Sequence, residues 1–183
     1  SQPNRTVANE MRRDSYAMYG NDTFAVMLDT FYDRRNGFNF MTNPLGGLFD
    51  QTITAERINN LDWNTVWDVQ TSRFDQGWML EMAIPFKSLR YGEAAAQYWG
   101  INFQRGVAWK NETSFLTPIP AALRELGNLK MSSAATLVGL EVPASAARFE
   151  VKPYAIADLT TNLGAIPRVL NQPGGTAGFD VKY

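Results

Sequence analysis

Large apolar side chains recur at every second position along residues 78–84. Four large apolar residues fall on one side of an extended chain: Trp78, Leu80, Met82 and Ile84. A period of two with bulky residues on one face predicts a half-buried β-strand. The β-prone segment before it is joined by Asp-Gln-Gly at 75–77, which has the composition of a short turn. We predict a β-hairpin over residues 67–84 and expect the rest of the chain to pack around it.

Short β-prone runs separated by turn residues continue in both directions from this hairpin. Asn36-Gly37 gives the strongest cue for a tight hairpin turn. Further strands are predicted at 24–31, 38–42, 48–53, 99–106, 107–115 and 135–140. Residues 54–66 read as a polar connection, and 121–126 as a loop with a short helix. Turns about every ten residues are typical of an all-β sandwich or barrel.

The composition changes at Pro143, where small residues follow one another to Ala147. Such a stretch favours a linker. We therefore predict a first domain over 1–142, a linker over 143–147 and two further strands within 148–183. The total of 183 residues fits one domain with a short extra segment.

The chain contains neither cysteine nor histidine. This excludes a disulfide framework, a cysteine nucleophile, zinc sites built from Cys or His, and a Ser-His-Asp triad. Catalysis would then have to use carboxylates, Lys, Tyr or an oxygen-bound metal. The 17 basic and 18 acidic residues give a net charge of -1, which provides no electrostatic reason to expect nucleic acid as a partner.

Several ordered motifs resemble a known family. They include Arg13-Asp14-Ser15, Asn43-Pro44, Ile-Pro-Phe-Lys-Ser-Leu-Arg at 84–90 and Trp-Gly-Ile-Asn-Phe-Gln-Arg at 99–105. Over about residues 5 to 160 the chain is similar to a bacterial family of large outer-membrane proteins. In that family a carbohydrate-binding family 9-like β-sandwich precedes a long β-barrel, and members are often labelled as hydrolases.

The resemblance implies an antiparallel β-sandwich followed by the first strands of an outer-membrane β-barrel. The chain would then be a piece of a larger protein, with part of the sandwich upstream of Ser1. It also implies a bacterial outer-membrane location, with the sandwich facing the periplasm or the cell surface. The expected partners are a glycan or oligosaccharide and, through the barrel, the outer membrane.

Aromatic side chains are the first candidates for glycan contact, because sugars stack their C–H faces on aromatic rings. Trp63 and Trp109 lie in polar segments, and Arg105 and Glu112 could read hydroxyl groups near Trp109. Trp78 and Trp99 are in phase with apolar residues, which predicts that they belong to the core. The alternative for every tryptophan is that it fills the interior of the sandwich.

Acidic side chains offer two further kinds of site. Glu81 is the candidate general acid of a carboxylate-based hydrolase, which needs two carboxyl groups in one cleft. It could equally be a surface residue or pair with Arg73 across the hairpin. Asp22, Asp29 and Asp33 offer oxygens for a structural calcium ion, although Asp residues in turns usually serve turn geometry.

These observations favour a non-catalytic carbohydrate-binding module that holds a glycan by stacking and polar contacts. The alternatives are a carboxylate-based glycan hydrolase and a structural domain that docks on its own barrel. We predict no cofactor, with a structural calcium ion as the one alternative.

Overall fold

A computed structural model describes residues 3–94, 96–143, 150–164 and 166–182. The chain divides into two compact units, Ser1–Pro143 and Ala144–Tyr183. This division lies beside the predicted end of the first domain at residue 142. Most of the predicted linker, 144–147, lies outside the described residues.

The first unit is an antiparallel β-sandwich, as predicted. Its described strands are β1 Thr23–Asp29, β2 Gly37–Thr42, β3 Phe49–Thr54, β4 Ile58–Asn60, β5 Asp68–Phe74, β6 Gly77–Ala83, β7 Ala96–Val107, β8 Glu112–Phe115 and β9 Ala135–Glu141. Seven strands form one sheet in the order β4-β3-β2-β1-β7-β8, and β9 also pairs with β7. The separate β5–β6 hairpin forms the second layer.

One face of the large sheet packs against this hairpin. Its apolar residues come from alternate positions of three strands: Val26, Leu28, Phe38, Phe40, Trp99 and Ile101. Val69 and Met82 of the hairpin pack on this cluster. In β6 the predicted inward residues are half-buried, whereas Met79 on the other side is 57% exposed. The predicted alternation is therefore confirmed.

The other face of the sheet is covered by short helical turns. Ala25, Met27 and Met41 pack there with Met18, from the turn Tyr16–Gly20, and Met131, from the turn Met131–Ser133. Because both faces are covered, β2 is buried at every position. The expectation that the chain packs around the hairpin was wrong: β1 and β7 lie at the centre of the sheet, and the hairpin is an outer layer.

Two further predictions need correction. β4 falls inside the predicted connection 54–66; its residues are all exposed, so no apolar periodicity marked it. The predicted strand 107–115 is broken by a turn, and only β8 pairs with β7 there.

The second unit is an antiparallel hairpin of β10, Glu150–Asn162, and β11, Val169–Lys182. The described parts of the two strands predicted within 148–183 fall in these elements. None of the helices in the described part of the chain has the length and apolar character needed to cross a bilayer.

Candidate functional site

A cleft of about 650 Å³ opens in the first unit, between the tip of the β5–β6 hairpin and the end of β7. Its walls carry four aromatic rings and two cationic side chains: Phe24, Phe74, Trp78, Trp109, Arg105 and Lys110. These residues come from the hairpin, from the large sheet and from the turn after β7. The cleft therefore combines parts of both layers of the sandwich.

The hairpin supplies one wall. Trp78 and Leu80 point inward because they share the phase of the residues that cover the sheet. Trp78 is only half-buried, since it lies at the tip, where β6 begins. Phe74 ends β5 on the opposite side of the turn and is 47% exposed.

The sheet supplies the opposite wall through Phe24 and Arg105. The two residues are direct cross-strand partners of β1 and β7. Phe24 also packs on Phe103, with ring centroids 5.6 Å apart. Arg105 is exposed, and its guanidinium forms no hydrogen bond or ion pair with another residue in the described part of the chain. This wall therefore carries a cation next to an aromatic ring.

A tight turn between β7 and β8 places Trp109 at the rim. The turn Ala108–Lys110 ends at Asn111, whose φ of 50° lies in the left-handed region that asparagine tolerates. The Ala108 N–H donates to Oδ1 of Asp22 over 2.8 Å, which ties the turn to the start of β1. Asp22 is thus a positioning residue for the Trp109 side chain.

Cations surround the indole of Trp109. The Arg5 guanidinium carbon lies 4.8 Å from the ring centroid, and Nζ of Lys110 lies 5.4 Å from it. Both distances are within the range of cation–π attraction. Lys110 also pairs with Glu112, with nitrogen and oxygen 3.6 Å apart and both side chains about half exposed.

The structure brings together only some of the predicted glycan contacts. Trp109 and Arg105 line the same cleft. Glu112 lies outside its lining and reaches it through Lys110. Trp63 lies elsewhere: its ring packs on Phe38 and Phe40, at centroid distances of 4.9 and 6.0 Å. Trp63 is half-buried, packs against the hydrophobic cluster under the hairpin and does not line this cleft.

Trp78, Phe24 and Phe74 were missed as site residues. Trp78 was assigned to the core because its phase matches apolar neighbours, and that phase does turn it inward. At the hairpin tip, however, Trp78 is only half-buried and lines the cleft. An aromatic residue on each side of the turn 75–77 was the available signal.

Glu81 does not face this cleft. It is exposed on the outer side of β6, opposite Gln70. Arg73 lies opposite Trp78 instead, so the suggested cross-strand pair of Arg73 and Glu81 is not formed. Of the three readings of Glu81, the structure supports a surface position.

Asp29 and Asp33 are neighbours, whereas Asp22 lies apart from them. Asp22 and Asp29 lie at opposite ends of β1, and the Asp29 carboxylate accepts the backbone N–H groups of Asp33 and Arg34 at 3.1 and 2.7 Å. Burial raises the pKa of Asp29. Asp33 in turn accepts hydrogen bonds from Asn36. The described residues contain no group of three or more Asp or Glu side chains placed to hold a metal ion, and calcium stays a prediction.

Comparisons with known proteins leave the family open. No protein-family model matches the chain, and neither a curated protein nor a solved structure matches it. The outer-membrane family therefore stays a hypothesis that rests on the motifs at residues 84–90 and 99–105.

Proposed function

We propose that the first unit is a non-catalytic carbohydrate-binding module, and that its glycan occupies the cleft at the hairpin tip. The observation that carries this proposal is the grouping of four aromatic rings with two cations around one opening. Aromatic faces stack on the C–H faces of sugar rings, and charged or polar groups at the rim bind hydroxyls.

The size of the cleft supports this function. Small-molecule sites commonly enclose about 300–1,000 Å³, and the cleft has about 650 Å³. Trp78 and Trp109 come from different layers of the sandwich, so a sugar between them would contact both. The tie between Asp22 and the Ala108 N–H holds one of these two walls in place before a ligand arrives.

The carboxylates support binding rather than bond cleavage. A glycosidase that uses the usual mechanism needs two carboxyl groups about 5–10 Å apart. Asp22 is the single carboxylate among the described lining residues, and it already accepts a backbone hydrogen bond. Glu81, the candidate acid, lies on the outer side of the hairpin. The hydrolase alternative therefore has no observation in its favour.

Calorimetric titration of the 183-residue chain with a panel of neutral and acidic oligosaccharides tests the proposal. We expect saturable binding that Trp109→Ala weakens by about tenfold or more, because a buried aromatic anchor commonly contributes that much. Phe31→Ala is the matched control, since Phe31 is 57% exposed and follows the far end of β1. The proposal would be rejected if Trp109→Ala left the affinity unchanged, or if the folded protein bound no saccharide.

The resemblance to the outer-membrane family also supports a proposal about the location of the protein in the cell. We place the module at the bacterial outer membrane, in a longer protein with a β-barrel to which the second unit contributes strands. The exposed apolar side chains of that unit, such as Ile156, Leu159 and Phe179, support a further covering layer or lipid around it. Cell fractionation of the longer protein should recover it in the outer-membrane fraction, and recovery in the soluble fraction would oppose this placement.

A further inference from the structure

The cleft contains a cationic side chain that no described residue neutralises. Arg105 has no charged or hydrogen-bonding partner among the described residues, and its side chain is exposed. Lys110, on the turn after β7, also lines the cleft; its ion pair among the described residues is with Glu112, at 3.6 Å and near solvent. An exposed pair at this distance contributes little, so the Lys110 ammonium remains able to attract an anion.

A further cation lies next to each of the two tryptophans of the cleft. Arg5 stacks on the ring of Trp109. On the hairpin, Arg73 is exposed and is the direct cross-strand partner of Trp78, although it lies outside the lining of the cleft. Directly paired residues of an antiparallel ladder project to the same face. Basic groups therefore flank both of the tryptophans that a sugar would contact.

The two carboxylates in the same region already have partners within the protein. Asp22 is buried, with 7% of its surface exposed, and its carboxylate accepts the Ala108 N–H. Glu112 lies outside the lining and pairs with Lys110. An incoming ligand thus meets guanidinium and ammonium groups first, while the one lining carboxylate stays within the fold.

A neutral glycan would leave the Arg105 guanidinium without a charged partner. We propose that the cleft selects acidic oligosaccharides, and that Arg105 binds the carboxylate of a uronic acid whose ring stacks on Trp109. A guanidinium presents two parallel N–H donors that match the two oxygens of a carboxylate. This inference rests on the proposed carbohydrate-binding function and adds the chemical class of the sugar.

The test uses one trisaccharide in two forms: trigalacturonic acid and the same trisaccharide with every carboxyl group methyl-esterified. The two share rings, linkages and hydroxyls and differ in charge. We expect the acid to bind the 183-residue chain about tenfold or more tighter than the ester, since hydrogen bonds to charged groups are the stronger ones. Raising the salt concentration should narrow this difference.

Variants assign the effect to one side chain. Arg105→Gln should reduce the affinity for the acid to that for the ester and leave the ester unchanged, whereas Trp109→Ala should weaken both. Arg57→Gln is the charge-matched control: Arg57 is exposed and lies in the turn between β3 and β4, at the opposite edge of the sheet. Thermal unfolding of each variant checks that it is folded.

The outcomes separate the two proposals. Equal binding of acid and ester, or an acid preference that survives Arg105→Gln, overturns the uronic acid inference and leaves carbohydrate binding in place. Tighter binding of a sulfated neutral trisaccharide than of the uronic acid overturns the choice of carboxylate. Failure of every saccharide to bind the folded chain removes the proposed function and the inference together.

Discussion

Asn39 and Asn43 are both fully buried, yet they use their side chains differently. The Asn43 amide donates to the backbone oxygen of Glu10 over 2.7 Å, and its oxygen accepts the N–H groups of Leu45 and Gly47 at 3.0 and 3.1 Å. Neither amide atom of Asn39 has a hydrogen-bond partner among the described residues. The same residue type thus fastens a turn at one position and only fills space at the other.

Leucine substitution should separate these roles, because leucine is close to asparagine in shape. Asn43→Leu strands several backbone groups and should reduce the free energy of unfolding by about 3 kcal/mol or more. Asn39→Leu removes an unpartnered amide and should change it by less than about 1 kcal/mol, or raise it. Urea denaturation measures both values, and equal losses would show that the Asn39 amide has a partner.

Glu10 makes the stability of the fold depend on pH. Hydrogen bonds from the Arg12 side chain and backbone and from Ser15 lower the pKa of Glu10 from 4.5 to about 2. A pKa that folding lowers stabilises the protein above the unfolded value, and the stabilisation disappears as the pH falls through the folded value. The native chain should therefore lose this contribution between about pH 4.5 and pH 2.

Glu10→Gln tests this linkage by difference. Comparing the unfolding free energy of variant and native chain at several pH values removes the opposite effect of Asp29, whose pKa burial raises. The native chain should be the more stable one at pH 7, and the gap should close as the pH approaches 2. A gap that is constant over this window would contradict the lowered pKa.

At the scale of elements, the β1–β2 hairpin depends on the absence of a side chain at Gly37. A Cβ atom there would lie 2.6 Å from the backbone oxygen of Leu28 and 2.7 Å from Sδ of Met131. The backbone contact cannot relax without moving the strand pair, so Gly37→Ala should cost about 1–3 kcal/mol.

Gly20→Ala provides the control for this position. No heavy atom lies within 4 Å of the Cβ that it would add, and Gly20 is exposed. It should leave the midpoint of urea denaturation nearly unchanged, while Gly37→Ala lowers it. Similar midpoints for both variants would mean that β1 and β2 adjust more easily than their register suggests.

Local patterns predicted the strands better than their arrangement. The alternation at 78–84 identified β6 and its inward side, because a layer that covers a core on one face shows a period of two. β2 is buried on both faces, so its sequence carries no such contrast. The pairing of β1 with β7 joins parts of the chain that are distant in sequence. A local periodicity therefore cannot predict it.

At the scale of the whole molecule, the site combines segments from five regions of the first unit: the amino-terminal segment, the start of β1, the hairpin tip, the end of β7 and the turn after it. Polar neighbours alone could not distinguish Trp109, which lines the cleft, from Trp63, which packs on Phe38. The two tryptophans differ in the tertiary position of the segments that carry them, which a local sequence pattern does not encode. Arg105 was predicted as a polar group near Trp109 that could bind hydroxyls, and it does line the same cleft.

The five tryptophans allow the most direct test of the cleft as the binding site. Each indole N–H gives its own signal in a nitrogen–proton correlation spectrum, assigned with single Trp→Phe variants. Titration with trigalacturonic acid should shift the signals of Trp78 and Trp109. The signals of Trp67 and Trp99 should stay in place, because these N–H groups are buried and donate to Asp50 and Gln97 at 3.0 and 3.1 Å. Shifts confined to Trp67 or Trp99, or no shift at saturating acidic and neutral oligosaccharide, would contradict the account.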